Sequence, residues 1–190
     1  MKRWLIVIPL LLIGALFLYI NGYRLTPENA ANSHSFLPKD AILIEQVPIE
    51  SSTIFVYKSD KEKRYLTVLS EKTGFLYRSG TSTYTPFVSD TLQTVGVISF
   101  WNDREATTYL SVLSTNDEVA YIEVGIEPDV IRREIRADEM VSFYFPFSHQ
   151  IDFIHPTAYD KDGNALYYYG YPKNSTTFST DDFKWHRIDD

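Results

Sequence analysis

Short segments rich in β-branched and aromatic residues, separated by clusters of turn-forming residues, dominate the chain from residue 41 onward. Segments of this kind, bounded by Gly, Asn, Asp and Lys, are typical of β-strands joined by tight turns. The candidate strands are 41–47, 53–58, 65–70, 75–78, 92–101, 106–114, 118–124, 141–147 and 165–171. The sequence therefore predicts a mainly β fold with minor α content, built from antiparallel meander sheets.

Some of these strands carry more specific signals. Short connections predict a three-stranded meander from the segments 92–101, 106–114 and 118–124. Apolar and polar residues alternate in 141–147, which is typical of a half-buried strand, and Pro146 places that strand at an edge or ends its pairing. Residues 128–140 fit either a short helix or a charged edge strand followed by a turn.

Residues 71–77 and 160–167 are similar, since each has a polar turn closed by glycine and then an apolar, aromatic strand. This similarity is compatible with two similar β units, 41–90 and 91–172. One hairpin type that occurs twice by chance is at least as good an explanation.

An uncharged apolar run from Leu5 to Ile20 follows Lys2 and Arg3. Its side chains favour membrane insertion by roughly 4–7 kcal/mol, and it is near the lower limit of about 17 residues for a span. The large side chains near its end disfavour cleavage as a signal peptide, which is the alternative. The sequence therefore predicts a single-pass membrane anchor.

The basic residues before the apolar run place the N-terminus in the cytoplasm and the C-terminal domain outside it, by the positive-inside rule. The expected organisation is an anchor at 1–23, a linker at 24–40 and an extracytoplasmic β-rich domain at 41–190. One helical turn is expected in the linker, capped by the Thr26 hydroxyl.

Charge and cysteine content exclude several classes of function. The net charge of −7 argues against nucleic acid as a partner, because an acidic surface repels phosphate backbones. The chain has no cysteine, which excludes disulfides, thiolate nucleophiles and cysteine-bound metals. Secreted eukaryotic domains of this size more often carry disulfides, so a bacterial envelope protein is favoured.

The segment from Asp160 to Asn164 has the carboxylates of a calcium loop. A calcium loop needs its glycine after the third ligand, whereas Gly163 precedes Asn164. Asp162-Gly163 instead fits a type I′ hairpin turn.

His149, Asp152 and His155 do not form a metal site in a helix or in a strand, because the two imidazoles point apart in the first and lie roughly 20 Å apart in the second. No nucleophile elbow, phosphate loop or zinc helix is present in the sequence. We therefore predict no catalytic residue, no cofactor and no metal.

Aromatic residues are concentrated near the C-terminus, at 167–169, 171, 178, 183 and 185. Side chains alternate along a strand, so Tyr167 and Tyr169 share one face, while Tyr168 shares the other with Leu166. Because leucine is the better core residue, we expect Tyr168 to pack inward and Tyr167, Tyr169 and Tyr171 to be exposed partner contacts. Such rings can stack on sugars or anchor a protein, although tyrosine also simply favours sheet surfaces.

Four features carry a family resemblance: the anchor that begins MKRW, Leu25–Glu28, Val95-Gly96 and the segment Tyr171–Asn174. With them the chain resembles, over most of its length, the short single-anchor envelope proteins of uncharacterised function found in Gram-positive, spore-forming bacteria. The resemblance implies a place in the cell envelope and assigns no activity or residue role.

The sequence thus predicts a non-enzymatic, membrane-anchored envelope protein that binds or scaffolds a partner at the outer face of the membrane. Its partner would be an envelope protein. One alternative is a wall-polysaccharide binding module that uses the C-terminal tyrosines on a wall glycan. Another is an enzyme whose active site is dispersed along the chain.

Overall fold

The computed structural model of the protein describes residues 4–88, 90–173, 176–177 and 179–188. Within this part are two α-helices, α1 (Trp4–Ile20) and α2 (Pro27–Asn32), and 3₁₀ turns at Ile151–Ile154 and Thr180–Asp182. The strands are β1 (Ile42–Pro48), β2 (Ser52–Ser59), β3 (Arg64–Thr73), β4 (Leu76–Pro86), β5 (Leu92–Trp101), β6 (Ala106–Ser114), β7 (Tyr121–Ile126), β8 (Asp129–Glu134), β9 (Met140–Phe145), β10 (Thr157–Tyr159), β11 (Ala165–Gly170) and β12 (Lys184–Arg187). The twelve strands form three sheets. The prediction of a mainly β, antiparallel fold with minor helix is confirmed.

The chain divides into two compact units. The first comprises Met1–Glu62 and Leu66–Ser82, and the second comprises Lys63–Tyr65 and Thr83–Asp190. The first unit is built on a four-stranded sheet with its strands in chain order, β1 to β4. The second contains a three-stranded sheet of order β5-β6-β9 and a five-stranded sheet of order β12-β11-β10-β7-β8. The two units therefore differ in topology.

The similar segments 71–77 and 160–167 are two hairpin turns. Gly74 lies in the first with φ +64° and Gly163 in the second with φ +88°. Glycine occupies positive φ without the clash of a Cβ, which explains why each turn contains one. The likeness is local to these turns.

Helix α1 corrects the membrane prediction. Its seventeen residues span roughly 25 Å at about 1.5 Å per residue, which is less than the ~30 Å hydrocarbon core of a bilayer. Among the residues that the structure describes, no helix is both long enough and apolar enough to cross a membrane. The predicted location, single-pass in the membrane with the N-terminus cytoplasmic and the C-terminal domain extracytoplasmic, is therefore corrected, since helix α1 is not a candidate span.

The backbone directly after Ile20 shows how helix α1 ends. The Tyr23 N–H donates to the Leu18 carbonyl at 3.0 Å, and Gly22 between them has φ +83°. This is the geometry of a glycine-terminated helix, in which a left-handed residue turns the chain away from the axis. Helix α1 covers the predicted apolar run, so the position of the run is confirmed, but its seventeen residues fall short of a membrane span. Lys2 and Arg3, which set the predicted orientation, lie outside the described residues.

Residues 24–40, predicted as a linker, belong to the first unit, and helix α2 among them packs on its sheet. The Thr26 hydroxyl accepts a hydrogen bond from the Asn29 N–H at 3.2 Å, so the predicted cap of α2 is confirmed. Ala31 on this helix is fully buried in a core with four residues of β2 and β3: Phe55, Tyr57, Leu66 and Val68. The Tyr57 hydroxyl donates to Asn32 Oδ1 at 2.9 Å. These contacts tie α2 to the sheet.

One strand of the predicted meander lies in another sheet. Strands β5 and β6 pair as expected, but β7 joins the five-stranded sheet, and β9 takes its place beside β6. One core combines side chains from both sheets, including Leu110 and Phe143 from the first and Ile122 and Ala158 from the second. Because β7 supplies Ile122 to the far side of this core, it cannot also continue the first sheet.

Two further strand predictions have a clear outcome. Strand β9 ends at Phe145, directly before Pro146, and lies at the edge of its sheet, as the missing N–H of proline requires. For residues 128–140 the edge-strand alternative is correct, since β8 lies at the edge of the five-stranded sheet. The charged face of β8 includes Arg132, whose guanidinium lies 3.4 Å from the centre of the Tyr121 ring.

Candidate functional site

Strand β11 places the C-terminal tyrosines differently from the sequence prediction. Tyr167 and Tyr169 do share a face, but that face is the core: their exposed fractions are 8% and 6%. Tyr168 is half-buried on the opposite face. The predicted alternation is therefore confirmed, but the prediction of which face is buried is wrong. Tyr167 and Tyr169 are not exposed contacts. Tyr171 lies beyond the strand and is 40% exposed. Its role as a partner contact stays a prediction.

Hydrogen-bonding partners explain why the larger, polar rings occupy the core. The Tyr167 hydroxyl accepts a hydrogen bond from Arg187 Nη1 at 3.0 Å and lies 3.3 Å from Thr91 Oγ1. A buried tyrosine contributes more apolar area than leucine, provided that its hydroxyl finds such a partner. Leu166 is only partly buried, against the same core.

A cavity of about 270 Å³ opens beside Tyr169 in the second unit. The end of β4, the start of β5, and strands β11 and β12 with the preceding segment provide its walls. We call it the aromatic cleft and define it by Tyr84, Gln93, Thr94, Tyr169, Phe183 and Trp185. Phe183 and Trp185 belong to the aromatic concentration seen in the sequence; residue 178 lies outside the described part.

Cross-strand pairing builds the aromatic wall of the cleft. Tyr169 of β11 is directly opposite Trp185 of β12, and their ring centroids are 5.5 Å apart at 63°. Phe183 completes the wall with its ring centroid 5.0 Å from that of Tyr169, nearly perpendicular to it. Edge-to-face contacts of this kind are favourable because the ring edge is positive and the ring face is negative. The wall is therefore rigidly packed.

Gln93 shapes the opposite rim through its amide. Its Nε2 donates to the carbonyls of Pro86 and Thr94 at 3.2 and 2.7 Å, and its Oε1 accepts from the Val88 N–H at 2.7 Å. A single buried side chain thus holds the backbone that joins β4 to β5. Because its amide hydrogen bonds go to the protein backbone, Gln93 has a structural role in shaping the cavity.

Three polar atoms of the cleft-lining residues lack a hydrogen-bond partner among the described residues. They are the buried indole Nε1 of Trp185 and the buried hydroxyls of Thr85 and Thr94. Leaving such a group unsatisfied costs about 1–3 kcal/mol. Unpaired buried groups in native proteins often mark a site where water or a ligand completes the bond. Trp185 is only 5% exposed and is one of the residues that line the cleft.

Burial dominates the electrostatics of the cleft. It raises the pKa of Tyr169 to about 12, with the nearby Thr94 hydroxyl acting in the opposite direction and the charge of Asp152 adding to the rise. The Tyr169 hydroxyl is therefore neutral near pH 7. Two carboxylates, Asp90 and Asp181, and the ammonium of Lys184 also line the cavity.

The segment from Asp160 to Asn164 forms a turn closed by its own hydrogen bonds. The Asp160 carboxylate accepts from the N–H groups of Asp162 and Asn164 at 2.8 and 2.9 Å and from Asn164 Nδ2 at 2.8 Å. These bonds, chiefly those from Asn164, lower the pKa of Asp160. The predicted hairpin between β10 and β11 is confirmed. The two-residue type I′ form is wrong, because the loop covers 160–164 and only Gly163 within it has positive φ.

The histidines near residue 150 are separated by the 3₁₀ turn Ile151–Ile154. The His149 N–H donates to Thr108 Oγ1 at 2.9 Å, while His155 ends the turn with φ 48°. In the described part of the chain, no three or more His, Cys, Asp or Glu residues are grouped to hold a metal ion.

Sequence reasoning missed Tyr84, Gln93 and Thr94 as cleft residues. The Thr- and Tyr-rich stretch at 81–85 has high β propensity, and this signal could have extended the predicted strand 75–78 to the observed β4. Gln93 and Thr94 carry no local signal, because their role depends on strands that follow them by about ninety residues.

No protein-family model matches the chain, and no curated protein and no solved structure matches it either.

Proposed function

We propose that this chain is a non-enzymatic binding protein that holds a saccharide in the aromatic cleft. The observation that supports this is a cavity of about 270 Å³ with an aromatic wall, in which the lining residue Trp185 has a buried indole N–H without a hydrogen-bond partner among the described residues. That volume is just below the roughly 300–1,000 Å³ of pockets for drug-sized ligands, so the ligand is small.

The chemistry of a sugar matches the lining of the cleft. A pyranose presents an apolar C–H face, which packs on rings such as Phe183 and Tyr84, and hydroxyl oxygens, which accept hydrogen bonds. One such oxygen would complete the bond that Trp185 Nε1 lacks. The charged groups lining the cleft have both signs, Asp90 and Asp181 against Lys184, which favours a neutral ligand over a strongly charged one.

Calorimetric titration of the full chain with glucose, galactose and N-acetylglucosamine tests the proposal. We expect at least one sugar to bind saturably, and Trp185→Phe to weaken it about tenfold, since phenylalanine keeps a ring and removes the N–H donor. Trp101→Phe is the matched control, because Trp101 is 76% exposed and lies outside the cleft. Absence of binding by all three sugars, or equal binding by the Trp185→Phe protein, would count against the proposal.

The second candidate is an enzyme with a dispersed site, favoured by the two carboxylates of the cleft. Glycoside hydrolysis commonly uses a pair of carboxyl groups, one as an acid and the other as a nucleophile or base. Asp90 and Asp181 both line the cleft although they are far apart in sequence. Release of reducing sugar from an oligosaccharide, lost in both Asp90→Asn and Asp181→Asn, would favour hydrolysis over binding alone.

A further inference from the structure

A second cavity, of about 280 Å³, opens on the other face of β11. We call it the amine cavity and define it by Asp152, His155, Tyr168, Tyr171 and Lys173. Tyr169 separates it from the aromatic cleft, since this residue lines both. Of these five residues, the sequence predicts a contact role for Tyr171 alone.

Asp152, one of the residues that line this cavity, has a carboxylate oxygen that lacks a hydrogen-bond partner among the described residues. This oxygen, Oδ1, is buried. The side chain is held there because its neighbours in the 3₁₀ turn, Ile151 and Ile154, are buried in the core. A carboxylate accepts several hydrogen bonds, and burying one without a partner is more costly than burying a neutral group. A hydrogen-bond donor, above all a cationic one, would therefore stabilise this oxygen.

Tyr168 already holds an ammonium group at the edge of the same cavity. Lys173 Nζ lies 4.4 Å from the centre of the Tyr168 ring, within the range of a cation–π contact. The backbone N–H of Lys173 also donates to the Tyr168 hydroxyl at 3.0 Å. His186 stacks on the ring at 5.4 Å between centroids. The tyrosine face is thus fixed in place and suited to a cation.

We infer that the amine cavity binds a primary alkylammonium group, with Asp152 Oδ1 accepting its N–H and the Tyr168 and Tyr171 rings packing on its methylenes. Lys173 is the internal competitor for the Tyr168 face. The net charge of −7 attracts such a cation to the protein. Only the molecules in which Lys173 does not cover the Tyr168 ring can bind the added amine. The apparent affinity for that amine is therefore lowered in proportion to the fraction of such molecules. Removal of the Lys173 ammonium therefore increases the affinity.

Titration of the full chain with butylammonium chloride, followed by calorimetry, measures this binding. We expect saturable binding of butylammonium and none of 1-butanol, which has a similar size and no charge. Asp152→Asn should weaken binding at least tenfold, whereas Asp162→Asn, at an exposed turn residue, should not change it. Lys173→Met should strengthen binding several-fold, and Lys161→Met, at another exposed position, should have no effect.

Two peptides distinguish the sources of the ammonium group. If acetyl-Gly-Lys-Gly-amide binds more tightly than butylammonium, the natural ligand is a lysine side chain of another protein. If butylammonium binds more tightly, the natural ligand is a free amine. Acetyl-Gly-norleucine-Gly-amide is the uncharged control.

Equal affinity of the wild-type and folded Asp152→Asn proteins, with folding checked by circular dichroism, would overturn the inference. Binding of 1-butanol as tight as that of butylammonium would do so as well. Asp152 does not line the aromatic cleft and Trp185 does not line the amine cavity. Asp152→Asn should therefore leave any sugar binding unchanged, and Trp185→Phe should leave amine binding unchanged.

Discussion

The two faces of strand β11 have different environments although their residues alternate one by one. Tyr167 and Tyr169 point into the core that joins the two sheets of the second unit, and Tyr169 also forms the wall of the aromatic cleft. Tyr168 points to the amine cavity and is half-buried. The same residue type thus supports the fold on one face and presents a ring to a possible ligand on the other. The surroundings of each ring, and not its identity, decide its role.

The largest expected effect tests the core face directly. Tyr169→Ala should lower the free energy of unfolding by about 3–5 kcal/mol, as for other buried aromatic residues cut back to alanine. Tyr168→Ala should cost clearly less, because its ring is only half-buried. Urea denaturation of the two variants measures both values. Equal losses would mean that the two faces do not differ in the way the structure indicates.

The pH dependence of stability sharpens the comparison. Burial raises the pKa of Tyr169 from 10.0 to about 12. Between these values the unfolded chain loses the proton and the folded chain keeps it, so the folded state becomes less stable as pH rises. This contribution is fully present below pH 10 and about 3 kcal/mol of it is lost by about pH 12.

Tyr169→Phe removes this proton, so its free energy of unfolding should fall less steeply between pH 10 and 12 than that of the wild type. Some slope should remain, because burial also raises the pKa of Tyr57 to about 12. An identical slope in the wild-type and Tyr169→Phe proteins would contradict the role of Tyr169.

The smallest expected effect concerns the hydroxyl of Tyr167. Tyr167→Phe removes the acceptor of the 3.0 Å hydrogen bond from Arg187, whose guanidinium also lies 2.7 Å from Glu118. Arg187 is more than half exposed, so we expect a loss of only about 1 kcal/mol. Thermal unfolding measures it, with Tyr144→Phe at a surface position as the reference. A loss as large as that of Tyr169→Ala would show that Tyr167 depends on its hydroxyl and not on its buried ring.

Local features of the chain were predictable because they depend on neighbours in sequence. The Thr26 cap needs only the N–H three residues later, and Pro146 ends β9 because it lacks its own N–H. The segments with β propensity became strands, although the short strands β10 and β12 were not recognised. The apolar run became helix α1 as its composition indicates, but that helix is too short to be a candidate membrane span.

Strand positions, the alternation along β11 and the glycine-containing turns were thus determined by the sequence itself. The tertiary structure decided which sheet β7 joins, which face of β11 meets the core, and that Tyr84, Gln93 and Trp185 line one cavity. The physical reason is that alternation specifies two faces without saying which is buried. That choice depends on the apolar area and hydrogen bonds supplied by strands distant in sequence, such as Arg187 for Tyr167 and Trp185 for Tyr169.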